Sequence, residues 1–567
     1  MSVKIHITRP FVEALANNFP ELDSLKQQLL FGDRVEVLFS DLSASHVDHL
    51  HELYGEAGPA LQNQQAQLAT LRRAFAGNGP RFAADDLEAV VPALASFLMQ
   101  DAQRGWLFTL DTRGRPLPYV VARIDYTPQN NDETGRILVE LKANSKGELT
   151  TAQLRISAGD VEGRTVAEIL AAKGFVHETP ELGAAHDANA DKYFEWRARY
   201  GAQFSGAGLG SFAEDPASTH RNTDFARKAS VILSSGGNPA RLVNDESLLA
   251  NRALTLELTG DLLGNYLRKA AKSNAYDAED EVAAANAAKG KDLFRKIPVH
   301  PFILMFHLDL HHYVWVHVED LTPYAYQPDL KQKLVLPEEQ TDLIDILTAE
   351  MDVLMDDIVA GKSGGTTVLC AGPPGVGKTL TAEVYAEIVK RPLYRVHSGQ
   401  LGLNVAAMET ALKEALLRAQ RWGAVMLIDE ADVYIKRRQD DMTMNAVVGV
   451  FLRVLEYFNG LLFLTTNRID DIDEAIVSRC IALIRFHAPD EEARRRIWGV
   501  MAEQFALALS DELIGELVTL YPQTSGRDIK GLSKLVAKYC RHRDVAPDLQ
   551  VFKRCAVFRG LEQTGAA

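Results

Sequence analysis

The spacing of apolar residues predicts helices at the start of the chain and strands after it. Over residues 1–105, apolar side chains recur at helical spacing, as at Leu87, Val90, Val91, Leu94 and Leu98. From about residue 106 to 160, short apolar runs between turn residues predict strands, and residues 166–172 predict a helix. Residues 177–225 are rich in Ala, Gly and Asp without periodicity, which is typical of a linker. We expect a mainly helical region over 1–105, then an α+β domain and linker over 106–225.

The second half of the chain has a different pattern. A β-rich domain is predicted over 226–332, and within it the Ala-rich segment 269–292 is either a helix or a solvated excursion. From about residue 333, short apolar runs alternate with amphipathic stretches, which is typical of a parallel sheet covered by helices. We expect this α/β domain over 333–488. Helices at 490–505, 511–520 and 528–542 then indicate a small helical lid within 489–567.

Composition narrows the class of protein. Of 567 residues, 47% are hydrophobic and 24% are charged, which is typical of a soluble globular protein. The net charge of −15 disfavours binding to nucleic acid through bulk charge. No run of about 18 uninterrupted apolar residues predicts a membrane span, and the first ten residues lack the apolar region of a signal peptide. Four cysteines without CxxC spacing are expected to be reduced thiols in a cytoplasmic protein.

A glycine-rich motif that begins at Gly372 is the strongest chemical signal in the sequence. It fits the pattern G-x-x-x-x-G-K-[ST], follows an apolar run that predicts a buried strand, and precedes a predicted helix. Glycines let successive N–H groups converge on phosphate oxygens, Lys378 can reach the β- and γ-phosphates, and the Thr379 hydroxyl can bind Mg²⁺. The residues expected to bind the nucleotide are Gly372, Pro373, Pro374, Gly375, Val376, Gly377, Lys378, Thr379 and Leu380.

Two further apolar runs end in polar residues. The first ends at Asp429 and Glu430, and the second ends in two threonines and Asn467. Ligands of open α/β sheets bind where the strands end, so Asp429 is expected to hold Mg²⁺ and Glu430 to deprotonate the attacking water. Asn467 could hydrogen bond to the γ-phosphate or to the lytic water. Taken alone, Asn467 would be interpreted as the start of a turn in preference to a site residue.

In this order, the three motifs resemble those of the AAA+ ATPases, and more narrowly of the AAA clade. The resemblance covers about 333–545 and implies a P-loop NTPase sheet with a helical lid, Walker A at 372–379, Walker B at Asp429 and Glu430, and sensor 1 at Asn467. It also implies ATP and Mg²⁺ as ligands and a homo-oligomer, a hexamer in this family. The N-terminal half is expected to consist of mixed α+β domains.

The same resemblance suggests two arginines. Arg479 lies where the clade carries its arginine finger, which reaches the γ-phosphate of ATP bound to a neighbouring subunit. Whether Arg479 matches the first or the second finger is open, because the stretch is short and Arg485 is a weak substitute. Arg527 lies at the sensor 2 position of the lid and would contact the nucleotide in cis. Alternatively, it is a surface arginine paired with Asp528 at a helix start.

Two functions are consistent with these motifs. The favoured one is a Mg²⁺-dependent ATPase whose N-terminal half recognises a protein substrate that the ring remodels. The alternative is a slow assembly switch, which is favoured by the region that begins at Gly402 because it lacks the aromatic residue of threading motors. A separate metal site at His307, Asp309 and His311 is also conceivable. We favour strands with one solvated face at those three residues.

Overall fold

The computed structural model describes most of the chain. The described residues are 4–38, 41–58, 61, 64–65, 68–69, 72, 79–100, 102–111, 113–130, 133–216, 230–235, 237–246, 293–349, 365–401, 404–437, 442–456, 458–469 and 471–561. Segment 269–292, for which the sequence suggests a helix or a solvated excursion, lies outside them. The chain divides into two compact units. The first comprises 1–198, 246–303 and 317–319, and the second comprises 199–245, 304–316 and 320–567.

The first unit begins with two strands and three helices. In chain order these are β1 (Lys4–Thr8), α1 (Arg9–Asn18), α2 (Ser24–Gln28), β2 (Arg34–Leu38) and α3 (Ala44–Glu56). The strands pair antiparallel, with Ile5 opposite Val37 and Ile7 opposite Val35, and these side chains share a core with the helices. The region is therefore not purely helical. Each strand alternates apolar and polar residues over at least four of its five positions, a local strand signal that the prediction of a mainly helical region overlooked.

The strands predicted over 106–160 form an antiparallel sheet. The elements that follow α3 are α4 (Val90–Met99), β3 (Trp106–Leu110), β4 (Pro116–Thr127), β5 (Arg136–Ser145), β6 (Glu148–Ser157), α5 (Ala158–Val161), α6 (Val166–Ala172) and β7 (Val176–His177). The sheet order is β6-β5-β4-β3-β7. Between β5 and β6, Lys146 and Gly147 both have positive φ, as tight hairpin turns require. The predicted strands and the helix at 166–172 are confirmed.

Residues 177–225 contain regular structure where their composition suggests a linker. They include α7 (Pro180–Arg197), β8 (Gln203–Gly206) and β9 (Gly208–Ala213). The Thr179 hydroxyl caps α7 by accepting a hydrogen bond from the Leu182 N–H at 3.3 Å. The buried residues of α7 include His186 and Asn189. Because polar residues contribute to its packed face, the helix has no clear apolar periodicity that the sequence could reveal.

Among the described residues between 203 and 323, seven strands form a second sheet, most of which belongs to the second unit. After β8 and β9 these are β10 (Ser230–Ser235), β11 (Asn238–Asn244), β12 (Phe302–His307), β13 (His312–His317) and β14 (Leu321–Pro323). The order is β10-β9-β13-β12-β11-β8-β14, and β10 also pairs with β11. The sheet therefore closes partly on itself, which leaves fewer exposed strand edges.

A parallel sheet with flanking helices forms most of the rest of the second unit. Its elements are α8 (Glu338–Ala349), β15 (Thr366–Ala371), α9 (Lys378–Ile388), β16 (Leu393–His397), α10 (Ser398–Leu401), α11 (Val405–Trp422), β17 (Val425–Asp429), α12 (Met442–Leu455), β18 (Leu461–Thr466), α13 (Glu474–Val477) and β19 (Ala482–Arg485). The order is β16-β17-β18-β15-β19, and neighbouring strands in this order run parallel. Ala371 lies opposite Thr466, so the ends of β15 and β18 meet at one edge.

Four helices follow the parallel sheet. They are α14 (Glu491–Phe505), α15 (Asp511–Leu520), α16 (Gly526–Arg543) and α17 (Leu549–Val557). A separate core that includes Trp498, Leu517, Ile529 and Phe552 holds them together. The predicted α/β sheet with a helical lid is confirmed. The sequence did not predict α17.

Within the second unit, the strands of the β-rich sheet contact the end of α11. The rings of Phe306 and Trp422 lie 4.9 Å apart between centroids. The fully buried carboxylate of Asp245 accepts hydrogen bonds from the Tyr313 hydroxyl (2.7 Å) and from Arg421 (2.8 Å). These apolar and ionic contacts join the β-rich sheet to the α/β domain.

The remaining features concern short helices, cysteines and membrane spans. Short 3₁₀ helices lie at Pro20–Leu22, Leu29–Phe31, Ala84–Asp86, Val318–Asp320, Pro328–Lys333 and Ala431–Val433. All four cysteines are free thiols, as the sequence predicts. In the part of the chain that the structure describes, no helix is both long and apolar enough to cross a bilayer.

Buried His300 is expected to make folding of the first unit sensitive to acid. Its Nε2 lies 2.9 Å from the Pro118 carbonyl oxygen, and burial lowers its pKa from 6.5 to about 4 despite that hydrogen bond. Below pH 6.5 the unfolded chain takes up a proton that the folded protein does not, so stability falls as the pH falls towards 4. Between pH 7 and 5 we expect His300 to account for a loss of about 2 kcal/mol in the free energy of unfolding.

Urea unfolding at both pH values, followed by tryptophan fluorescence, measures this loss. The substitution His300→Phe keeps a ring against Tyr119 but cannot be protonated, so its loss between pH 7 and 5 should be smaller than that of the unsubstituted protein. Substituting the exposed His487 by Gln should leave the loss unchanged. An equal loss in the protein and in His300→Phe would contradict the prediction.

Candidate active site

The loop between β15 and α9 has a conformation that requires glycine at three positions. A Cβ on Gly372 would lie 2.4 Å from the Phe486 carbonyl oxygen. Gly375 and Gly377 have φ of +83° and +104°, which side chains strongly disfavour. The loop therefore follows a path close to neighbouring backbone and leads directly into the first turn of α9, where free N–H groups favour anions.

The ammonium group of Lys378 is held by the loop and by the next strand. Its Nζ donates to the carbonyl oxygens of Gly372 (2.8 Å) and Pro373 (2.7 Å) and to Oδ1 of Asn467 (3.0 Å). Lys378 is only 7% exposed, and burial lowers its pKa, with the positive charge of Arg527 adding to the effect and Asp429 opposing it. A cation is thus positioned between the glycine loop and the end of β18.

The carboxylate of Asp429 lies at the end of β17 among three donors. Its Oδ1 accepts hydrogen bonds from the hydroxyls of Thr379 (3.0 Å) and Thr465 (2.5 Å), and its Oδ2 pairs with Arg395 at 2.5 Å. Burial favours the protonated form. The hydrogen bond from Thr465, the charge of Arg395 and the hydrogen bond from Thr379 outweigh it and hold the pKa of Asp429 below its usual value. Asp429 is therefore an anion at neutral pH.

Glu430 follows directly in an unusual backbone conformation. Its φ is +56°, and its N–H donates to the Thr465 hydroxyl at 3.1 Å, the same hydroxyl that donates to Asp429. A left-handed conformation costs a non-glycine residue roughly 1–2 kcal/mol, so the surrounding contacts must impose it. The side chain is exposed at the edge of the sheet, where a carboxylate can reach solvent.

Asn467 is positioned by both its side chain and its backbone. Its Oδ1 accepts from Lys378, and its N–H donates to Oδ1 of Asp432 at 3.1 Å. The Thr466 hydroxyl donates to the same oxygen of Asp432 and accepts from the Arg468 N–H. Asn467 therefore does more than begin a turn, because the turn fixes its amide beside the lysine.

The start of the lid helix α16 contacts the glycine loop. The Arg527 N–H donates to the Gly375 carbonyl oxygen at 3.2 Å, and a Cβ on Gly375 would lie 2.7 Å from the Ser525 hydroxyl. Asp528 accepts from the N–H and the hydroxyl of Ser525 and so caps the helix. The Arg527 side chain is exposed, and its cis contact to a nucleotide stays a prediction.

Arg479 lies apart from the other candidate residues. Its Nε donates to Oε1 of Glu456 at 3.0 Å, and its Nη1 donates to the Ala475 carbonyl oxygen at 3.1 Å. Among the described residues these two are its hydrogen-bond partners, and neither belongs to the predicted site. Both side chains of the ion pair are partly exposed, and such a pair contributes only about 0–1 kcal/mol, so it can be exchanged at little cost.

The other predicted residues of the loop differ in exposure. Pro374 and Leu380 are exposed, Pro373 is intermediate, and Val376 packs against the core of the parallel sheet. Val376 therefore anchors the loop by its side chain. Any contact from it to a nucleotide would come from its backbone.

Sequence reasoning missed two residues that organise the site. Thr465 bridges Asp429 and the Glu430 backbone, and Arg395 pairs with Asp429. For both residues, the sequence contained a feature that could have indicated a role in the site. Thr465 is a small polar residue directly after an apolar run, and Arg395 is a charged residue inside a five-residue strand.

The histidine segment does not form a metal site in the described structure. No group of three or more His, Cys, Asp or Glu residues that could hold a metal occurs among the described residues. His307 Nδ1 instead accepts from the N–H groups of Asp309 and Leu310 at 3.3 Å, and so stabilises the turn between β12 and β13.

Comparison with known proteins identifies the domain that contains these residues. The family described as "ATPase family associated with various cellular activities (AAA)" matches residues 368–488. This segment is an AAA ATPase domain. The match includes the glycine loop, Asp429, Glu430, Asn467 and Arg479, whose individual roles remain predictions from the sequence.

Curated relatives match about a third of this chain. A 26S proteasome regulatory subunit homolog of Methanothermobacter thermautotrophicus is 33% identical over 32% of this chain and 50% of its own length. The FtsH zinc metalloprotease of Syntrophus aciditrophicus is 27% identical over 37% of this chain and 30% of its own length. The FIGL1 protein of Arabidopsis thaliana is 29% identical over 32% of this chain and 28% of its own length. The chain thus spans half or less of the length of these relatives.

Solved structures match the chain over a similar share. The FIGL-1 AAA domain in complex with ADP is 20% identical and covers 41% of this chain and 83% of that one, with a TM-score of 0.33. A chain of the HORMA:CdnC:Trip13 complex of E. coli MS115-1 is also 20% identical. The match covers 40% of this chain and 90% of that one, with a TM-score of 0.33.

Replacing Lys378 by Ala should weaken nucleotide binding. The substitution removes the buried cation that the loop and Asn467 hold in place, and hydrogen bonds to charged groups contribute about 1.5–3 kcal/mol each. We therefore expect the Kd for ATP, measured by titration calorimetry, to rise by about tenfold or more. Lys390→Ala, an exposed lysine just after α9, is the matched control and should bind as the unsubstituted protein does. Equal affinities of Lys378→Ala and the control would contradict the assignment.

Proposed function

We propose that the protein is a Mg²⁺-dependent ATP hydrolase of the AAA type that assembles into a ring and remodels a protein partner. The observation that carries this proposal is the convergence of three strand ends. Lys378 reaches Asn467 at 3.0 Å, and Thr379 reaches Asp429 at 3.0 Å. Cation, hydroxyl, carboxylate and amide thus lie together at the edge of the sheet where α/β proteins bind ligands.

The residues at this edge fit a magnesium ion. The hydroxyl of Thr379 and the ionised carboxylate of Asp429 are oxygen donors of the kind that Mg²⁺ prefers, and they lie next to each other. Mg²⁺ usually takes one or two protein ligands and completes its shell with phosphates and water, so a single carboxylate suffices. When bound, the ion would neutralise negative charge on the phosphate oxygens.

The chain's own groups have distinct roles in the proposed reaction. Lys378 and the N–H groups of the loop bind the phosphates and stabilise their charge. Glu430 accepts a proton from the attacking water, and Asn467 orients that water or the γ-phosphate. Arg527 contacts the nucleotide from the lid, so that the angle of the lid follows the state of the nucleotide.

The proposed site is completed by a neighbouring copy of the chain. Arg479 pairs with Glu456 rather than with the residues around Lys378. In the proposed assembly, a hexamer, this guanidinium leaves its exposed partner and reaches the γ-phosphate bound to the next subunit. The planar and permanently charged group would stabilise charge that develops during phosphoryl transfer. Whether Arg479 corresponds to the first or to the second arginine finger of the family stays open.

The first unit is proposed to recognise the protein substrate. Among its described residues no group of three or more potential metal ligands occurs, and the sequence of the N-terminal half presents no second catalytic constellation. The net charge of −15 disfavours nucleic acid as the partner. A cytoplasmic location is part of the proposal, and its support is the cysteine spacing in the sequence.

A slow assembly switch is the second candidate function. It is favoured by the sequence at residues 402–405, which lacks the aromatic residue of threading motors. Gly402 and Leu403 lie outside the described residues, so this argument rests on the sequence. Glu430 argues for the ATPase, because a protein that only binds ATP needs no base.

Glu430→Gln should bind ATP but hydrolyse it at least about a hundredfold more slowly, the usual contribution of a general base. Gln has a similar shape and tolerates the same backbone, while the phosphate-binding loop is unchanged. The experiment measures phosphate release and, by native mass spectrometry, the ATP-bound assembly, which should accumulate. Glu492→Gln, on the exposed face of α14, serves as the control. Hydrolysis at the parental rate would show that Glu430 is not the base.

A mixing experiment tests the shared site. Arg479→Ala and Lys378→Ala subunits should each be inactive alone, and together they should recover part of the activity, because some interfaces combine an intact loop with an intact finger. A mixture of Lys378→Ala and Glu430→Gln should recover nothing, since both defects lie in the same half of the site. If native mass spectrometry shows mixed assemblies and the first mixture stays inactive, Arg479 does not act in trans.

A further inference from the structure

Both oxygens of the Asp429 carboxylate are engaged by protein groups. Oδ1 accepts from Thr379 and Thr465, and Oδ2 pairs with Arg395 at 2.5 Å. The Asp429 side chain is only 8% exposed, so little water reaches it. Among the described residues, Arg395 is the cation paired with this carboxylate. A divalent ion that uses Asp429 must therefore compete with Arg395 for Oδ2.

Arg395 has a second carboxylate within reach. Its Nη1 lies 3.6 Å from Oε1 of Glu383, one turn into helix α9. Its Nε is buried without a hydrogen-bond acceptor, so the present position leaves one donor unsatisfied. The guanidinium thus lies between two carboxylates and is not fully satisfied by either.

Glu383 does not depend on Arg395 alone for positive charge that stabilises its carboxylate. Burial raises the pKa of Glu383, and the positive charges of Arg395, Arg241 and Lys530 oppose that rise. Because three cations share this task, Arg395 can lean towards Asp429 without leaving Glu383 isolated. Asp429 has less reserve, since its other two hydrogen-bond partners are neutral hydroxyls and the nearby ammonium group of Lys378 donates to three other oxygens.

We propose that Arg395 takes the place of the divalent cation on Asp429 in the metal-free site and transfers to Glu383 in the metal-bound site. This inference rests on the proposed function, because it concerns the same Mg²⁺–nucleotide site. Two cations on one carboxylate repel each other, whereas an unpaired buried carboxylate is unfavourable. Arg395 therefore stabilises the empty site and sets the Mg²⁺ concentration that the site requires.

The arrangement predicts opposite effects for the two partners of the exchange. Arg395→Gln removes the competitor, so less Mg²⁺ should be needed for nucleotide binding. Glu383→Gln removes the carboxylate that receives Arg395, so more Mg²⁺ should be needed. If the two residues merely supported the fold, their substitutions would not shift the Mg²⁺ concentration needed for nucleotide binding in opposite directions.

The test is a Mg²⁺ titration of nucleotide binding by the full chain. Fluorescence of a mant-labelled, non-hydrolysable ATP analogue is followed in chelator-buffered Mg²⁺. We expect the midpoint to fall by about tenfold for Arg395→Gln and to rise for Glu383→Gln, as a charge-assisted hydrogen bond is lost in each case. Lys413→Gln, which breaks an exposed ion pair with Glu409 on α11, should leave the midpoint unchanged.

Thermal unfolding provides a second readout. In EDTA without nucleotide, Arg395→Gln should melt at a lower temperature than the unsubstituted protein, because Asp429 loses its counter-charge. Arg395→Lys keeps a cation and should restore most of that loss. With Mg²⁺ and the analogue present, the difference between Arg395→Gln and the unsubstituted protein should shrink.

The outcomes separate this inference from the proposed function. If the unsubstituted protein binds no analogue at any Mg²⁺ concentration, the proposed function fails and the inference fails with it. If it binds, but Arg395→Gln leaves the midpoint unchanged or raises it, only the role of Arg395 is overturned. Should Arg395→Gln not fold, a midpoint for Glu383→Gln that is unchanged or lowered overturns it equally.

Discussion

The buried ammonium group of Lys378 is the constraint on which the site depends. A buried cation requires acceptors, and Lys378 finds them in two carbonyl oxygens of its own loop and in the amide of Asn467. These contacts join the ends of β15 and β18 through one side chain. The Thr379 hydroxyl, the next residue along, joins the same loop to Asp429 at the end of β17. Two consecutive residues thus bring three strands together at the edge where the AAA domain is proposed to bind its nucleotide.

The sequence predicted those parts of the fold that are determined by residues close together in the chain. Apolar runs followed by Gly372, Asp429 and Asn467 predicted strands that end in polar residues, and parallel pairing then brings those ends to one edge. Three of the four lid helices, α14, α15 and α16, were predicted from the sequence, and α17 was not. In the first unit, short apolar runs between turn residues similarly predicted β4 and β5.

Other parts depend on contacts that no local pattern records. Helix α7 buries His186, whose Nε2 lies 3.0 Å from the carbonyl oxygen of Val299, a residue more than a hundred positions away in the chain. The packed face of α7 therefore includes polar residues, and for this reason its sequence is typical of a linker. Arg395 was overlooked for the same reason, because its significance comes from Asp429 and Glu383 on neighbouring elements. Long-range partners of charged and polar residues are what the sequence alone could not supply.

The central claim is that one nucleotide is bound at this sheet edge and that its site is completed by a second copy of the chain. A structure of the assembled protein with Mg²⁺ and a non-hydrolysable ATP analogue tests it most directly. The account predicts phosphates in contact with Lys378 of one subunit and Arg479 of its neighbour, with the metal held by Thr379 and Asp429. A nucleotide bound elsewhere, or an Arg479 still paired with Glu456 in every assembled subunit, would contradict it.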